Sequence, residues 1–135
     1  MLLRIVLLVC ILHPGWSIAA DNSDPVDLLE KLISNWDETP NADLRYHKLH
    51  SQVEAKISGK KAIYYADWLL SDKNPLPQPD IAYAINLLLK EAEQGSVLAH
   101  YYLVGNLFFQ GERIGIYKEQ FYKSLEILFD SYVSS

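Results

Sequence analysis

Sulfur-containing side chains are almost absent from the chain, which has one cysteine, Cys10, and one methionine, Met1. A single cysteine forms no internal disulfide, so the small secreted domains that depend on a disulfide framework are excluded as a class. Cys10 lies inside an apolar N-terminal run that is expected to be removed, which excludes thiol catalysis as well. The folded part of the chain must therefore hold together without covalent cross-links.

Long apolar runs are also lacking, because no stretch approaches the ~20 residues that a transmembrane helix needs. A shorter run, residues 5–12, follows Arg4 and precedes the small side chains of residues 17–20. This order is typical of a secretory signal, with a basic start, an apolar centre and a small-residue cleavage site. We predict that residues 1–20 are a cleaved signal peptide, that the protein is periplasmic or secreted, and that it does not span the membrane after cleavage. An uncleaved N-terminal anchor is the alternative.

Basic residues are in the minority, with 12 Lys and Arg against 17 Asp and Glu and a net charge of −5. The chain has no basic run and so lacks the electrostatic footprint of a protein that binds phosphate backbones. We therefore expect no nucleic-acid partner. Apolar residues make up 50% of the chain and aromatic residues 12%, a composition that excludes a disordered tail.

Strand patterns are scarce, whereas helix boundaries are frequent. Asp24-Pro25 is a typical capped start for the first helix. Gly59 is expected to end the second helix. Asp80 is expected to cap the fourth helix, and Gly95 is expected to end it. The predicted helices cover about residues 25–36, 40–57, 60–71, 81–94, 97–110 and from 117 onward. Short connections force neighbouring helices to be antiparallel, so we predict an all-α fold built from about three helical hairpins.

The second half of the chain shows an internal repeat. The pair Tyr64-Tyr65 recurs as Tyr101-Tyr102, and the small residue Ala84 recurs as Ser124, about 37 to 40 residues later in each case. A period of this length is typical of solenoid proteins, in which successive helical hairpins stack on one another. We therefore predict a short right-handed α-solenoid.

Residues 80–95 carry the clearest family pattern. Asp80 stands at the start, Ala84 and Ala92 at small-residue positions, and Gly95 at the close. This segment resembles the second helix of a Sel-one-like repeat (SLR), a relative of the tetratricopeptide repeat. Small residues at such positions let two helices approach closely, and glycine takes the left-handed turn.

The helix that follows is similar to the first helix of the same repeat. Val104-Gly105 matches its Leu-Gly pair, Phe108 its aromatic residue and Gly111 its turn glycine. In the preceding unit Asp67 and Trp68 replace the Leu-Gly region. The resemblance is strong over residues 80–111, is moderate over residues 60–134 and fades over residues 24–58. We therefore divide the chain into a signal peptide (1–20), an N-terminal helical hairpin (21–58) and a Sel-one-like repeat region (59–135).

Motifs of enzyme chemistry are missing. The chain has no G-x-S-x-G elbow, no phosphate-binding glycine loop and no H-E-x-x-H zinc motif, so we predict no enzyme and no cofactor. Asp43, His47, His50 and Glu54 share one face of the second predicted helix, a spacing that suits a divalent metal. The alternative, which we favour, is a solvated polar stripe, so no metal is predicted. His100 is interpreted as a packing histidine.

Surplus aromatic side chains point to binding instead. Adjacent residues of a helix lie ~100° apart, so in each Tyr-Tyr pair one ring is expected to pack and the other to face a groove. Tyr and Trp are the preferred anchors of protein interfaces. We predict a partner-binding groove that contains Tyr64, Trp68, Tyr101 and Asn106.

The resemblance implies an exported adaptor or scaffold, because bacterial members of the family serve in envelope assemblies and in contacts with host cells. The predicted function is thus a non-catalytic protein–protein interaction module whose partners lie in the cell envelope. The alternative is a repeat protein that binds glycan or peptidoglycan by stacking tyrosine rings on sugars.

The last predicted helix carries apolar residues over a wide arc, whereas terminal solenoid repeats normally present a polar outer face. Its large apolar residues are Phe121, Tyr122, Leu125, Leu128, Phe129, Tyr132 and Val133. Three explanations stay open: the helix docks back on the array, pairs with a second copy to form a homodimer, or meets another partner.

Overall fold

The computed structural model describes residues 23–108 and 115–135, so the predicted signal peptide (1–20) and Gly111 lie outside the described residues. Within these ranges the chain is all-α: six α-helices lie wholly inside them, together with one short 3-10 helix, and they contain no strand. None of the helices in these ranges is long and apolar enough to cross a membrane. The chain consists of two compact units, of which the first ends at Val53 and the second begins at Glu54.

The first unit contains one helical hairpin. Helix α1 spans Pro25–Ser34 and α2 spans Ala42–Val53, with a 3-10 turn at Trp36–Glu38 between them. The predicted cap at the start of α1 is confirmed, because the Asp24 side chain accepts from the Val26 N–H at 2.9 Å. The two helices pack against each other, and α1 buries Leu29 and Leu32.

The second unit contains the other four helices. Helix α3 spans Gly59–Leu70, α4 Ile81–Glu93, α5 Val97–Phe108 and α6 Lys118–Ser134. Each packs against the next, and α3 also packs against α5. The core of this unit consists mainly of aliphatic residues with almost no exposed surface: Ile63, Leu69, Leu70, Ile85, Leu88, Leu103 and Leu107.

Helix boundaries in this unit largely follow the capping residues. Asp80 caps α4 through the Tyr83 N–H at 3.0 Å, and Gly95 follows α4 with a φ of +92°, as predicted for each. Ser96 caps α5 by accepting from the Ala99 N–H. The proline-containing segment 74–79 is not helical, because proline fixes φ and removes a backbone donor.

Two boundary predictions were wrong. Helix α2 ends at Val53 instead of continuing to residue 57, and Gly59 begins α3 instead of ending α2. Gly59 has a φ of +67°, a left-handed conformation that glycine adopts without strain, so the same property suits a helix entry here. Its N–H donates at 3.0 Å to Oε1 of Glu91, a carboxylate from α4 that is only 5% exposed. This tertiary contact replaces the local cap that Ser58 does not provide.

Candidate functional site

Asn106 joins α5 to α3 at the centre of the candidate site. Its Nδ2 atom donates to Oδ1 of Asp67 at 3.1 Å and to the carbonyl oxygen of Tyr102 at 2.9 Å. A carboxylate and a carbonyl are acceptors only, so these two bonds use both hydrogens of the amide group. The amide oxygen of Asn106 remains as an acceptor, and the Asp67 carboxylate keeps further lone pairs.

A pocket of about 340 Å³ lies beside this hydrogen bond. The end of α3 and the following turn supply half of its lining, and α5 supplies the other half. The lining residues are Asp67, Leu70, Ser71, Asp72, Tyr101, Tyr102, Gly105 and Asn106. Two of the eight are carboxylates and none is basic. We call this the α3–α5 pocket. Its volume falls within the ~300–1,000 Å³ that small-ligand sites occupy.

Tyrosine rings gather around the pocket. Tyr102 is half-buried, and two exposed rings meet it edge-on: Tyr64 from α3 at a centroid distance of 6.0 Å and Tyr101 at 5.6 Å. Tyr64 is 51% exposed and Tyr101 63% exposed. Edge-to-face geometry is the favoured arrangement of such rings. The three tyrosines therefore form an aromatic surface that spans both helices.

The pKa of Tyr102 is affected by burial and by the negative charge of Asp67. Burial raises the pKa of its phenol above the ordinary value, and the Asp67 carboxylate raises it further, followed by Tyr64 and Tyr101. A nearby negative charge disfavours the phenolate because the two like charges repel. The same field favours a cation.

The predicted groove residues fall into two groups. Tyr101 and Asn106 line the α3–α5 pocket, and Tyr64 reaches it through its ring contact with Tyr102. Trp68 does not line the pocket. Its ring stacks on Tyr65, with centroids 6.1 Å apart and planes 19° apart. The expectation that one ring of each tyrosine pair packs is confirmed for Tyr65, which is 4% exposed.

Sequence reasoning missed three members of the site: Tyr102 and the carboxylates of Asp67 and Asp72. Asp67 did carry a signal, since it stands in the Leu-Gly region of the repeat pattern, where an acidic residue has no packing role. Asp72 lies in a turn, where aspartate is common for local reasons, and it carries no signal of its own.

Gly105 leaves open space beside α5. A Cβ atom built at this position would meet no described atom within 4 Å. Because Gly105 lines the pocket, its missing side chain leaves space in the pocket wall rather than a closer helix contact.

The polar face of α2 does not form a metal centre within the described residues, which contain no group of three or more His, Cys, Asp or Glu side chains placed to hold a metal ion. His50 stacks on Tyr46, with ring centroids 5.5 Å apart and planes 19° apart, and His47 meets the same ring edge-on. Helix α2 ends at Val53, so Glu54 does not lie on it with Asp43 and the two histidines.

A buried serine–histidine pair lies between α5 and α6. Nδ1 of His100 is 2.8 Å from Oγ of Ser124, and the two residues are 8% and 2% exposed. Burial lowers the pKa of His100 below 6.5, Lys123 lowers it further, and a backbone hydrogen bond to Ala92 opposes the shift. The distance suits a nucleophile and its base, but a buried hydroxyl does not meet a substrate. The geometry fits the packing role predicted for His100.

Comparison with known proteins identifies no relative: no family model, no curated protein and no solved structure matches the chain. The described residues form an all-α fold with a pocket whose lining includes tyrosine and aspartate side chains.

Proposed function

We propose that this protein is an exported, non-catalytic interaction module that binds a protein partner through the surface shared by α3 and α5. The observation that carries the proposal is the convergence of Tyr64, Tyr101 and Asn106 around Tyr102, on one surface of two packed helices. Exposed tyrosines beside a pocket are the usual anchors of protein interfaces. The export signal that residues 1–20 resemble supports a periplasmic or secreted site of action.

We also propose that the fold is a short right-handed α-solenoid with Sel-one-like, tetratricopeptide-like repeats. The packing of α3 against both α4 and α5 supports this, because the first helices of successive hairpins contact each other in a stacked array. Burial supports it too. Alignment of the tyrosine pairs makes Ala62 equivalent to Ala99 and Leu70 to Leu107, and all four residues are buried. In such arrays the first helices of the hairpins line the binding surface.

A second surface is proposed on α6. Tyr122, Leu125, Phe129, Tyr132 and Val133 are exposed at spacings of three, four, three and one residues, which places them along one side of the helix. An apolar stripe of this kind is typical of an interface. Pairing with a second copy of the chain is one of the three occupants that the sequence leaves open, and it is tested together with the α3–α5 surface.

The test is crosslinking in cells that express the complete 135-residue sequence, followed by mass spectrometry of the proteins that co-purify. The double variant Tyr64→Ala, Tyr101→Ala removes the exposed rings, and both side chains are exposed enough for the fold to tolerate the change. Leu44→Ala on α2 is the matched control, because Leu44 is 67% exposed and lies outside both proposed surfaces. Tyr122→Ala tests the α6 surface separately. Trp68 is left intact because it stacks on the core residue Tyr65.

We expect a recurrent envelope protein to be captured by the unchanged chain and by the control, and to be lost from the double variant. A partner that is lost only from the Tyr122→Ala variant would transfer the binding role to α6. Links between copies of the chain alone, with retention on peptidoglycan that depends on Tyr64 and Tyr101, would replace the adaptor function by the glycan-binding alternative.

A further inference from the structure

We propose that the α3–α5 pocket binds a guanidinium group, supplied by an arginine side chain of the partner protein. This inference rests on the proposed function, since it names the chemistry by which the partner is recognised at the same surface. The argument uses the charges of the pocket, its aromatic walls and its size.

The charges of the pocket favour a cation as its ligand. Asp67 and Asp72 contribute two carboxylates, and none of the eight lining residues is basic. Asn106 occupies one acceptor position of Asp67 and holds that carboxylate in place at 3.1 Å. An ionised carboxylate offers about four acceptor positions, so Asp67 retains the capacity for further donors. Asp67 is half-buried and Asp72 is exposed, and both would repel an anion and attract a cation.

The aromatic walls favour an organic cation over a metal ion. Tyr101 and Tyr102 both line the pocket, with their rings close to perpendicular, at 86°. The faces of such rings carry negative electrostatic potential and attract ammonium and guanidinium groups. A hydrated divalent ion gains nothing from a ring face, and the described residues contain no group of three or more His, Cys, Asp or Glu side chains placed to hold a metal ion.

Among organic cations, guanidinium fits this set of groups best. It is planar, presents five N–H donors, and is more weakly hydrated than an ammonium, so it stacks on rings and pairs with carboxylates at the same time. The pocket offers carboxylate oxygens, the amide oxygen of Asn106 and the rings of Tyr101 and Tyr102 within one lining. A volume of about 340 Å³ admits one long side chain rather than an element of secondary structure.

The test is an NMR titration of the isotope-labelled protein, recovered after expression of the complete sequence. The probes are three blocked tripeptides that differ only in the central residue: arginine, its neutral isostere citrulline, and lysine. We expect saturable shifts of the Tyr101, Gly105 and Asn106 backbone amides with the arginine peptide. We expect binding about tenfold weaker with citrulline, because the charge is lost, and an intermediate affinity with lysine.

Variants assign the effect to the pocket. Asp67→Asn with Asp72→Asn removes both charges while keeping oxygen atoms at both positions, and we expect it to weaken the arginine peptide about tenfold. Glu93→Gln with Glu126→Gln is the matched control, because it removes two exposed charges elsewhere in the same unit. We expect this control to retain the affinity of the unchanged protein.

Gly105→Ala tests the position of the ligand. A methyl group there meets no described atom within 4 Å, so it projects into open space at the pocket wall. Alanine also has the higher helix propensity, so the melting temperature should rise rather than fall. We expect weaker binding of the arginine peptide by this more stable protein, which separates loss of the pocket from loss of the fold.

The outcomes for the two proposals are distinguishable. Equal binding of the arginine and citrulline peptides, or equal losses in the two double variants, would overturn the guanidinium site. If crosslinking still captured a partner through Tyr64 and Tyr101, the interaction module would stand with a different recognition chemistry. Arginine-specific binding that the Asp67→Asn, Asp72→Asn variant abolishes supports the proposal, whichever partner is found.

Discussion

The buried pair of His100 and Ser124 offers a sharp test of the packing in the second unit. Alignment of Tyr64 with Tyr101 makes Ile63 in α3 equivalent to His100 in α5, and Ala84 in α4 is equivalent to Ser124 in α6. Ile63 and Ala84 are both buried. The double variant His100→Ile, Ser124→Ala therefore replaces a polar pair by the apolar pair that occupies the matching positions of the same chain.

The expected magnitudes follow from burial. Ser124→Ala alone leaves a ring nitrogen of a residue that is 8% exposed without its hydroxyl partner, and His100→Ile alone leaves a hydroxyl that is 2% exposed without the imidazole. An unsatisfied buried polar group costs about 1–3 kcal/mol, whereas replacement of both partners by apolar groups of similar shape is nearly neutral. We expect each single variant to lose about 1–2 kcal/mol of unfolding free energy, and the double variant to lose less than about 1 kcal/mol.

Urea denaturation monitored by circular dichroism measures all four proteins of this cycle. The coupling free energy between the two positions should be about 1–3 kcal/mol, with the double variant more stable than the sum of the single changes predicts. An additive result within about 0.5 kcal/mol would refute the reasoning, because it would mean that the two side chains do not depend on each other.

Three further predictions concern Glu91, His100 and Asp67. Glu91→Ala should destabilise the protein by about 1–3 kcal/mol, because it removes the buried acceptor at the first turn of α3, whereas the exposed Glu93→Ala should stay within about 0.5 kcal/mol in the same denaturation assay. The pKa of His100 is lowered in the folded state, so the unfolded chain binds the additional proton, and unfolding free energy should fall as the pH drops through 6.5. Stability curves at a series of pH values should show this loss reduced in the His100→Ile variant. Asp67→Asn should lower the pKa of Tyr102 toward its ordinary value, as followed by NMR of labelled tyrosine rings during titration; an unchanged pKa would remove Asp67 as a cause.

The helices were predictable where their boundaries depend on local chemistry. Asp24 and Asp80 cap α1 and α4 through their own side chains, and Gly95 follows α4 in a left-handed conformation. Each of these features is set by residues within four positions in the sequence, so sequence reasoning reaches them.

The start of α3 was not predictable, because the side chain that accepts a hydrogen bond from its first residue is distant in the sequence. Gly59 was interpreted as a terminator, which is the commoner role of a glycine with positive φ beside a helix. The structure instead pairs its N–H with the carboxylate of Glu91, which lies 32 residues away. The helix dipole and the free N–H groups of a first turn attract a carboxylate from any part of the chain that packs there. Glu91 and Glu93 are of the same residue type on either side of Ala92, yet Glu91 is buried while Glu93 is exposed.

Two residues of the candidate site stand at positions where the two units of the proposed repeat differ. In the alignment of the tyrosine pairs, Gly105 stands opposite Trp68 and Asn106 opposite the buried Leu69. The first difference leaves space at the pocket wall, and the second supplies the amide that holds Asp67. The contact between Asp67 and Asn106 could not be predicted from the sequence, because the two residues are 39 positions apart and come within hydrogen-bond distance only where α3 packs against α5.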